Sequence, residues 1–371
     1  MNKLAIIGAG NFSTFALPQM MKNKNVQFVG ILDTDVLKAR QFQSKFGGIV
    51  FDDLDQLIAN TDINLVYIAT PPWHHFISAK QCLLAGKNVI CEKPAALKTE
   101  EVEQLIQIAR ENKSLYVVNL MQRYNPIYQI VQTIINQNIF GTFLHGFFEN
   151  YATDEFSGPA HWFWEESKSG GIFIEHAVHF FDMFEGWFGQ GTLLTSLEIK
   201  RKNSPIEHLA ADRVQAVVQY GQGVVNFYHA FDQPKRMDRQ EIRLVFEKGS
   251  LSLYEWVPTK FKIEALVTKK DLATLKSLAS PLDINILEEY EGDQKISRGR
   301  FKTIESDYKV ELTYNGASKT TIYQSLIASM IDDQLKWIKD KTHDRVITEQ
   351  NALNSLQIAV EAHEKAKSII L

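Results

Sequence analysis

A chain of 371 residues, 45% of them hydrophobic, buries a large core and exceeds what one core usually spans, so two domains are expected. Its 40 basic and 44 acidic residues are interspersed, with one short basic cluster at Lys200–Lys202, and a net charge of −4 gives no field to draw nucleic acid or an anionic membrane. No apolar run reaches the roughly 18 residues of a membrane span, the start lacks a signal-peptide cleavage pattern, and Cys82 and Cys91 make neither a disulfide framework nor a metal motif, so a cytoplasmic protein is expected.

Up to about residue 120, short β-branched runs alternate with amphipathic ones, the signature of βαβ units around a parallel sheet. Strands are expected in "LAIIGAG", "VQFVGILD", "INLVYIATP", "NVICEKP" and "LYVVNLM". Helices are expected in "DDLDQLIAN", "HHFISAKQCLLAGK" and "KTEEVEQLIQIARENK", the last with Thr99 as N-cap. From about Gly141 strands follow one another directly: "TFLHGFFENY", "LLTSLEIKRK", "RVQAVVQYG", "GVVNFYHAF", "EIRLVFEKG" and "SLSLYEW". Turns such as "YGQG" and "EKGS" between them argue for an antiparallel or mixed sheet. Helical periodicity returns in Gly170–Phe188 and after about Thr320, and Pro258–Asn315 reads as an inserted loop, helix and strands. The fold expected is an α/β dinucleotide-type domain, then a sheet domain closed by C-terminal helices.

"IIGAGNFS" follows the first strand and opens the first helix, the context in which a glycine pattern carries meaning. Gly8 makes the tight turn and Gly10 lets the backbone approach a pyrophosphate at the helix N-terminus, with Ser13 as the small residue for helix packing. Pro18 should bend that helix. Asp33 ends the second strand 23 residues after Gly10, close to the spacing of the acid that binds the adenosine ribose, and Thr34 and Asp35 follow it with no arginine. NAD is therefore favoured over NADP. Lys93, in "CEKP" at the carboxyl end of another parallel strand, stands where open α/β sheets bind ligands, and desolvation there makes a lysine a useful proton partner.

The ordered set "GAGNFS", "ILDTD", "ATPPWHH", "AGKNVICEKP", "MQRYNP" and "GGIFIEHAVHFFD" resembles the Gfo/Idh/MocA family, the relatives of glucose-fructose oxidoreductase and inositol 2-dehydrogenase, over residues 3 to about 190. The resemblance implies a Rossmann domain over residues 1–122 and, over 123–371, a C-terminal α/β domain with an open, mostly antiparallel sheet that often makes the oligomer interface, as a homodimer or homotetramer. It implies hydride transfer between NAD(P) and a hydroxyl-bearing carbon of a sugar, sugar derivative or cyclitol. It assigns cofactor contacts to Gly8, Gly10, Asn11, Phe12, Asp33, Thr70, Pro71, His75, Glu92 and Lys93, and it implies that the Lys93-Pro94 peptide is often cis.

On a helix Glu175, His179 and Asp182 fall at i, i+4 and i+7, on one face. Alcohol oxidation needs a base, and histidine titrates near neutrality. His179 takes that role, supported by Glu175 and Lys93, while Asp182 accepts a substrate hydroxyl. The family more often has aspartate where this chain has Glu175, which leaves open whether Glu175 touches substrate or orients His179. A metal would have to use His176 and His179 with Glu175 or Asp182, an order that fails the zinc-protease helix pattern, so no metal is expected. Trp162 is a candidate wall of the cleft, and Met121, Gln122 and Arg123 candidate substrate contacts at the domain crossover. Two other functions stay open: a nicotinamide-sensing regulator without catalysis, and a redox-neutral glycosidase that holds NAD.

Overall fold

The computed structural model describes residues 1–153, 161–202, 211–278 and 282–371. The first unit runs β1 (Asn2–Ile7), α1 (Asn11–Met20), β2 (Val26–Leu32), α2 (Val36–Phe46), β3 (Ile49–Val50), α3 (Leu54–Ala59), β4 (Leu65–Ile68), α4 (His75–Leu84), β5 (Asn88–Cys91), α5 (Thr99–Glu111) and β6 (Tyr116–Val118). Its strands are all parallel in the order β3-β2-β1-β4-β5-β6, which puts the topological switch point between β1 and β4. The central strands are buried on both faces, as β4 shows at every position, and this is why they read as continuous apolar runs.

Helix starts follow side-chain caps where the chain supplies them: Asp35 accepts from the Leu37 and Lys38 N–H groups and Asp53 from Gln56 N–H. Thr99 is not the cap expected of it. Lys98 holds that position with extended backbone and no side-chain bond, and Glu100 and Glu101 supply the favourable charge in the first turn instead. Helix α1 continues through Pro18 to Met20. Helix α2 is absent from the expected elements because it buries only Ala39 and Phe42, too few apolar positions to show a period.

The second unit begins with α6 (Pro126–Asn136), a helix also absent from the expected elements, capped by Asn125 with Pro126 in its first turn. It continues with β7 (Phe143–Thr153), α7 (Glu166–Ser169), a π-turn at Phe173–Ala177, α8 (Val178–Phe188), β8 (Thr192–Lys200), β9 (Arg213–Tyr220), β10 (Gly223–Gln233), β11 (Arg239–Phe246), β12 (Gly249–Tyr254) and β13 (Lys260–Val267). Then come α9 (Lys269–Ser277), β14 (Leu282–Glu289), β15 (Ile296–Arg298), β16 (Thr303–Glu305), β17 (Tyr308–Asn315), α10 (Lys319–Lys339), α11 (Glu349–Glu364) and β18 (Lys367–Ile370). Ten strands form one sheet in the order β14-β17-β13-β12-β11-β7-β10-β9-β8-β18, antiparallel except at β7/β10 and β8/β18. Pro258–Asn315 is therefore not an insertion: β13, β17 and β14 extend this sheet at one edge.

The C-terminal helices return to the first unit. Leu326, Ile327 and Met330 of α10 share a core with Leu4 and Ile6 of β1 and Ala16 and Leu17 of α1. A second core runs without a break from Ala5, Val66 and Val89 in the first sheet through Ile127 and Val131 of α6 to Phe148, Phe227 and Ile242 of the second. Side chains shared across both sheets hold the two units against each other.

Candidate active site

The glycine loop is shaped by close approach. Gly8 has φ +101°, and a Cβ there would stand 2.5 Å from the Ala69 carbonyl oxygen at the end of β4. Ser13 donates from Oγ to the Gly8 carbonyl at 2.5 Å, locking loop to helix. At Gly10 the space is open, with nothing within 4 Å of an added Cβ, and the helix it caps has no side-chain partner for its first N–H groups. Asp33 accepts from Ala9 N–H at 2.6 Å and from Asp35 N–H at 2.8 Å, so its carboxylate stands beside the loop. Thr70 Oγ1 is buried with no partner on the same strand edge. These features, an open glycine cradle at an uncapped helix start, an acid at the next strand end and an orphaned hydroxyl, fit a dinucleotide.

The loops after β4 and β5 are tied together by His75. Its Nδ1 lies 2.6 Å from the Pro94 carbonyl and its Nε2 2.7 Å from the Thr70 carbonyl. Burial pushes its pKa down against those two carbonyls, and a neutral ring donates to one of them. His75 thus clamps the "TP" loop to the "EKP" turn from inside the protein rather than facing a ligand. The Lys93-Pro94 peptide is cis. Glu92, beside it, accepts from Tyr67 Oη and from Asn119 Nδ2 at 2.8 Å, and burial raises its pKa against these bonds.

Lys93 Nζ donates to both the carbonyl oxygen of Glu175 at 2.8 Å and its Oε1 at 2.5 Å, across 82 residues of chain. Of the two roles left open for Glu175, contact with substrate or orientation of His179, neither is the bond its carboxylate makes here, which is to Lys93. His179 is buried with Nδ1 unpartnered, and burial together with the Lys93 ammonium holds its pKa well below 6.5. Asp182 does not join them. It is fully buried and both of its carboxylate oxygens accept from Arg123, at 2.8 to 3.1 Å, so it has no face toward a substrate hydroxyl. The reckoning at i, i+4 and i+7 assumed an unbroken α-helix. Glu175 lies instead in the π-turn, whose wider winding changes its phase against His179 and Asp182.

The crossover residues are likewise turned inward. Met121 is in the core with β1 and α10, Gln122 is buried and donates from Nε2 to the Trp256 carbonyl at 2.8 Å, and Arg123 is committed to Asp182. Trp162 is half-buried with its ring 5.8 Å from that of Trp73 in the loop after β4. Residues 154–160, which precede it in the chain, lie outside those described. His176 faces the sheet, its Nδ1 3.0 Å from Nδ1 of His229 on β10. Among the described residues no three His, Cys, Asp or Glu side chains are gathered as metal ligands, and no helix is long and apolar enough to cross a membrane. Two residues the motifs did not suggest link His179 to the start of α1: Trp256, 6.2 Å from the His179 ring, and Tyr323 of α10, 5.4 Å from Trp256 and 6.1 Å from Phe12. They carry no local signal, since only the folded chain brings residues 12, 179, 256 and 323 together.

Residues 2–120 match the model of an oxidoreductase family with an NAD-binding Rossmann fold, and residues 128–252 match that of the GFO/IDH/MocA C-terminal domain. An uncharacterized oxidoreductase of Synechocystis is 27% identical over 266 residues, 67% of this chain and 71% of that protein. Glucose-6-phosphate 3-dehydrogenase of Bacillus subtilis is 31% identical over 144 residues, 39% of this chain and 41% of that one. The chain spans about half the length of other curated relatives it matches. Among solved structures, the WlbA dehydrogenase of Bordetella pertussis in complex with NADH and UDP-GlcNAcA superposes with a TM-score of 0.77 at 17% identity, over 98% of this chain and 95% of the other. Two matched domains in the right order, with the glycine loop and the lysine turn built as described, lead to one conclusion: the chain belongs to the Gfo/Idh/MocA oxidoreductase family.

Proposed function

We propose that the chain is an NAD-dependent dehydrogenase that moves hydride between nicotinamide and a hydroxyl-bearing carbon of a sugar, sugar derivative or cyclitol. Residues 1–122 serve as the cofactor unit and 123–371 as the substrate unit. The observation that carries the reading is Lys93 reaching from the "EKP" turn to Glu175 in the second unit, beside a buried, unpartnered His179. Bound nicotinamide would supply the hydride acceptor or donor.

The protein's own groups handle the proton. His179, its pKa held below the usual range, is neutral at pH 7 and can accept a proton from a substrate hydroxyl. Lys93 keeps a hydrogen to donate, since two of its three are spent on Glu175. The family's more common aspartate is one methylene shorter, and the extra reach of Glu175 lets it hold the ammonium while its backbone carbonyl holds it too. Asp33, held beside the glycine loop, would accept from the adenosine ribose of a bound dinucleotide and disfavour a 2′-phosphate, hence NAD. Gly10, Asn11 and Phe12 line the pyrophosphate approach, with Thr70 and Pro71 on the opposite loop.

A relative named as a glucose-6-phosphate 3-dehydrogenase, and a structure solved with NADH and UDP-GlcNAcA, support the substrate class. Cytoplasmic location and assembly into two or four copies through the uncovered face of the ten-stranded sheet belong to the same proposal, and sedimentation reads the assembly. The test is NADH formation across a panel of polyols and aldoses. Lys93→Ala should lower turnover about 10²–10⁴-fold while NADH still binds; full activity in that variant, or no NADH binding by the wild type, refutes the reading.

A further inference from the structure

Trp256 stands where the two halves of the molecule meet, packed against both cores. Its ring lies 6.2 Å from that of His179 and 5.4 Å, edge-on, from that of Tyr323, which in turn neighbours Phe12 in the first turn of α1, next to the glycine loop. One continuous aromatic wall thus joins the cofactor end of the cleft to the proton-handling end. The indole is only partly covered, although its main chain is held on both sides. Gln122 Nε2 donates to the Trp256 carbonyl at 2.8 Å, and Asn125 Nδ2 to the Pro258 carbonyl at 2.9 Å.

The residue before it, Glu255, is one of few non-glycine positions with a left-handed backbone, at φ +74°. That conformation costs of order 1 kcal/mol or more and persists where the surroundings impose it, most often at functional sites. Here Glu255 N–H donates to the Gln240 carbonyl at 3.1 Å, and its carboxylate accepts from Thr259 Oγ1 at 3.1 Å. These bonds fix the backbone on the N-terminal side of Trp256, as Gln122 fixes its own carbonyl. Over the indole, 5.5 Å from the ring centre, stands the ammonium of Lys319, the first residue of α10. Among the described residues Lys319 forms no ion pair within 4.0 Å.

We propose that Trp256 and Lys319 form a substrate subsite: an apolar ring face rests on the indole, and the lysine takes an anionic substituent, so the substrate is a carboxylated or phosphorylated sugar or cyclitol. The subsite rests on the dehydrogenase reading and sharpens its substrate class. A pyranose carries its apolar C–H face and its charged substituent on one small frame, and a platform with a cation beside it matches both at once. The reacting carbon then lies toward His179, one indole away from the charge.

Protein loaded with NAD is titrated by calorimetry with three probes: glucose, glucuronate and glucose 6-phosphate. At least one anionic probe should bind about tenfold or more tighter than glucose, the size of one hydrogen bond to a charged group. Lys319→Gln should abolish that preference, Lys319→Arg should keep it, and Trp256→Ala should weaken all three probes. Whether glucuronate or glucose 6-phosphate is favoured tells carboxylate from phosphate. Equal binding of glucose and the anions, no binding of any probe, or a preference that survives Lys319→Gln overturns the subsite. NADH binding and the Lys93→Ala turnover assay judge the dehydrogenase reading separately.

Discussion

Arg123→Met removes one half of an ion pair that the fold has sealed. Asp182 has no exposed surface, the Arg123 side chain is 12% exposed, and the guanidinium donates three bonds to the carboxylate and one, at 3.0 Å, to the Asp182 carbonyl. Burial works against the Arg123 charge, but the Asp182 carboxylate and its hydrogen bonds outweigh it and raise the guanidinium pKa. Burial also pushes the Asp182 pKa up, with Arg123 pulling it back. Taking one partner away leaves a buried carboxylate unpaired, at a cost of about 3–5 kcal/mol. The sign of the pH dependence follows. Without Arg123 the carboxyl pKa in the folded state climbs further above its unfolded value, so the penalty is full at pH 8 and shrinks as falling pH neutralises Asp182. Urea unfolding at pH 8 and pH 5 measures both. The double variant Arg123→Met/Asp182→Leu should recover to within about 1 kcal/mol of wild type, because a buried pair replaced by apolar groups is often neutral. A loss below about 1 kcal/mol at pH 8, or a double variant no better than the single, would refute this and return Arg123 to the role of a substrate contact, with a raised KM as its mark.

Gly8→Ala places a Cβ 2.5 Å from the Ala69 carbonyl at φ +101°, and should cost about 1–3 kcal/mol and abolish NADH binding, read by fluorescence titration. Asp33→Ala removes the charge that opposes a 2′-phosphate, and the ratio of kcat/KM with NAD to that with NADP should fall about tenfold or more; an unchanged ratio sinks the assignment. Burial holds the pKa of His229 at about 3 and those of His176 and His179 well below 6.5. The unfolded chain therefore takes up protons first, and stability is full above about pH 6.5 and falls below it by up to about 1.4 kcal/mol per pH unit for each histidine. Urea midpoints from pH 7.5 to 5 should show this, with a shallower slope in His229→Phe.

The parallel sheet is legible in the sequence because strands buried on both faces are apolar throughout, and the glycine loop because its spacing fixes a turn, a cradle and an acid together. Lys93 is legible for the same reason, since the end of a parallel strand is an address. What spacing does not carry is the identity of a side chain's partner. Glu175, His179 and Asp182 share a face on an ideal helix, yet the π-turn and the approach of Lys93 and Arg123 sort them into two separate pairings, with His179 left between. Trp256 and Tyr323 are illegible for a related reason: each is one aromatic among many until the turn after β12 and helix α10 bring them to Phe12 and His179. The instructive case is Arg123 with Asp182. Both read as facing one cleft from two different elements, one a cation and the other an anion. Opposite charges brought to the same place and shielded from water satisfy each other first, because leaving either unpaired costs more than any contact with an exchangeable ligand returns. An acid and an arginine that converge from separate elements are therefore a prediction of a structural pair. Lys93 differs in that it has a hydrogen still to give after its two bonds to Glu175, and the proton role proposed for it rests on that difference.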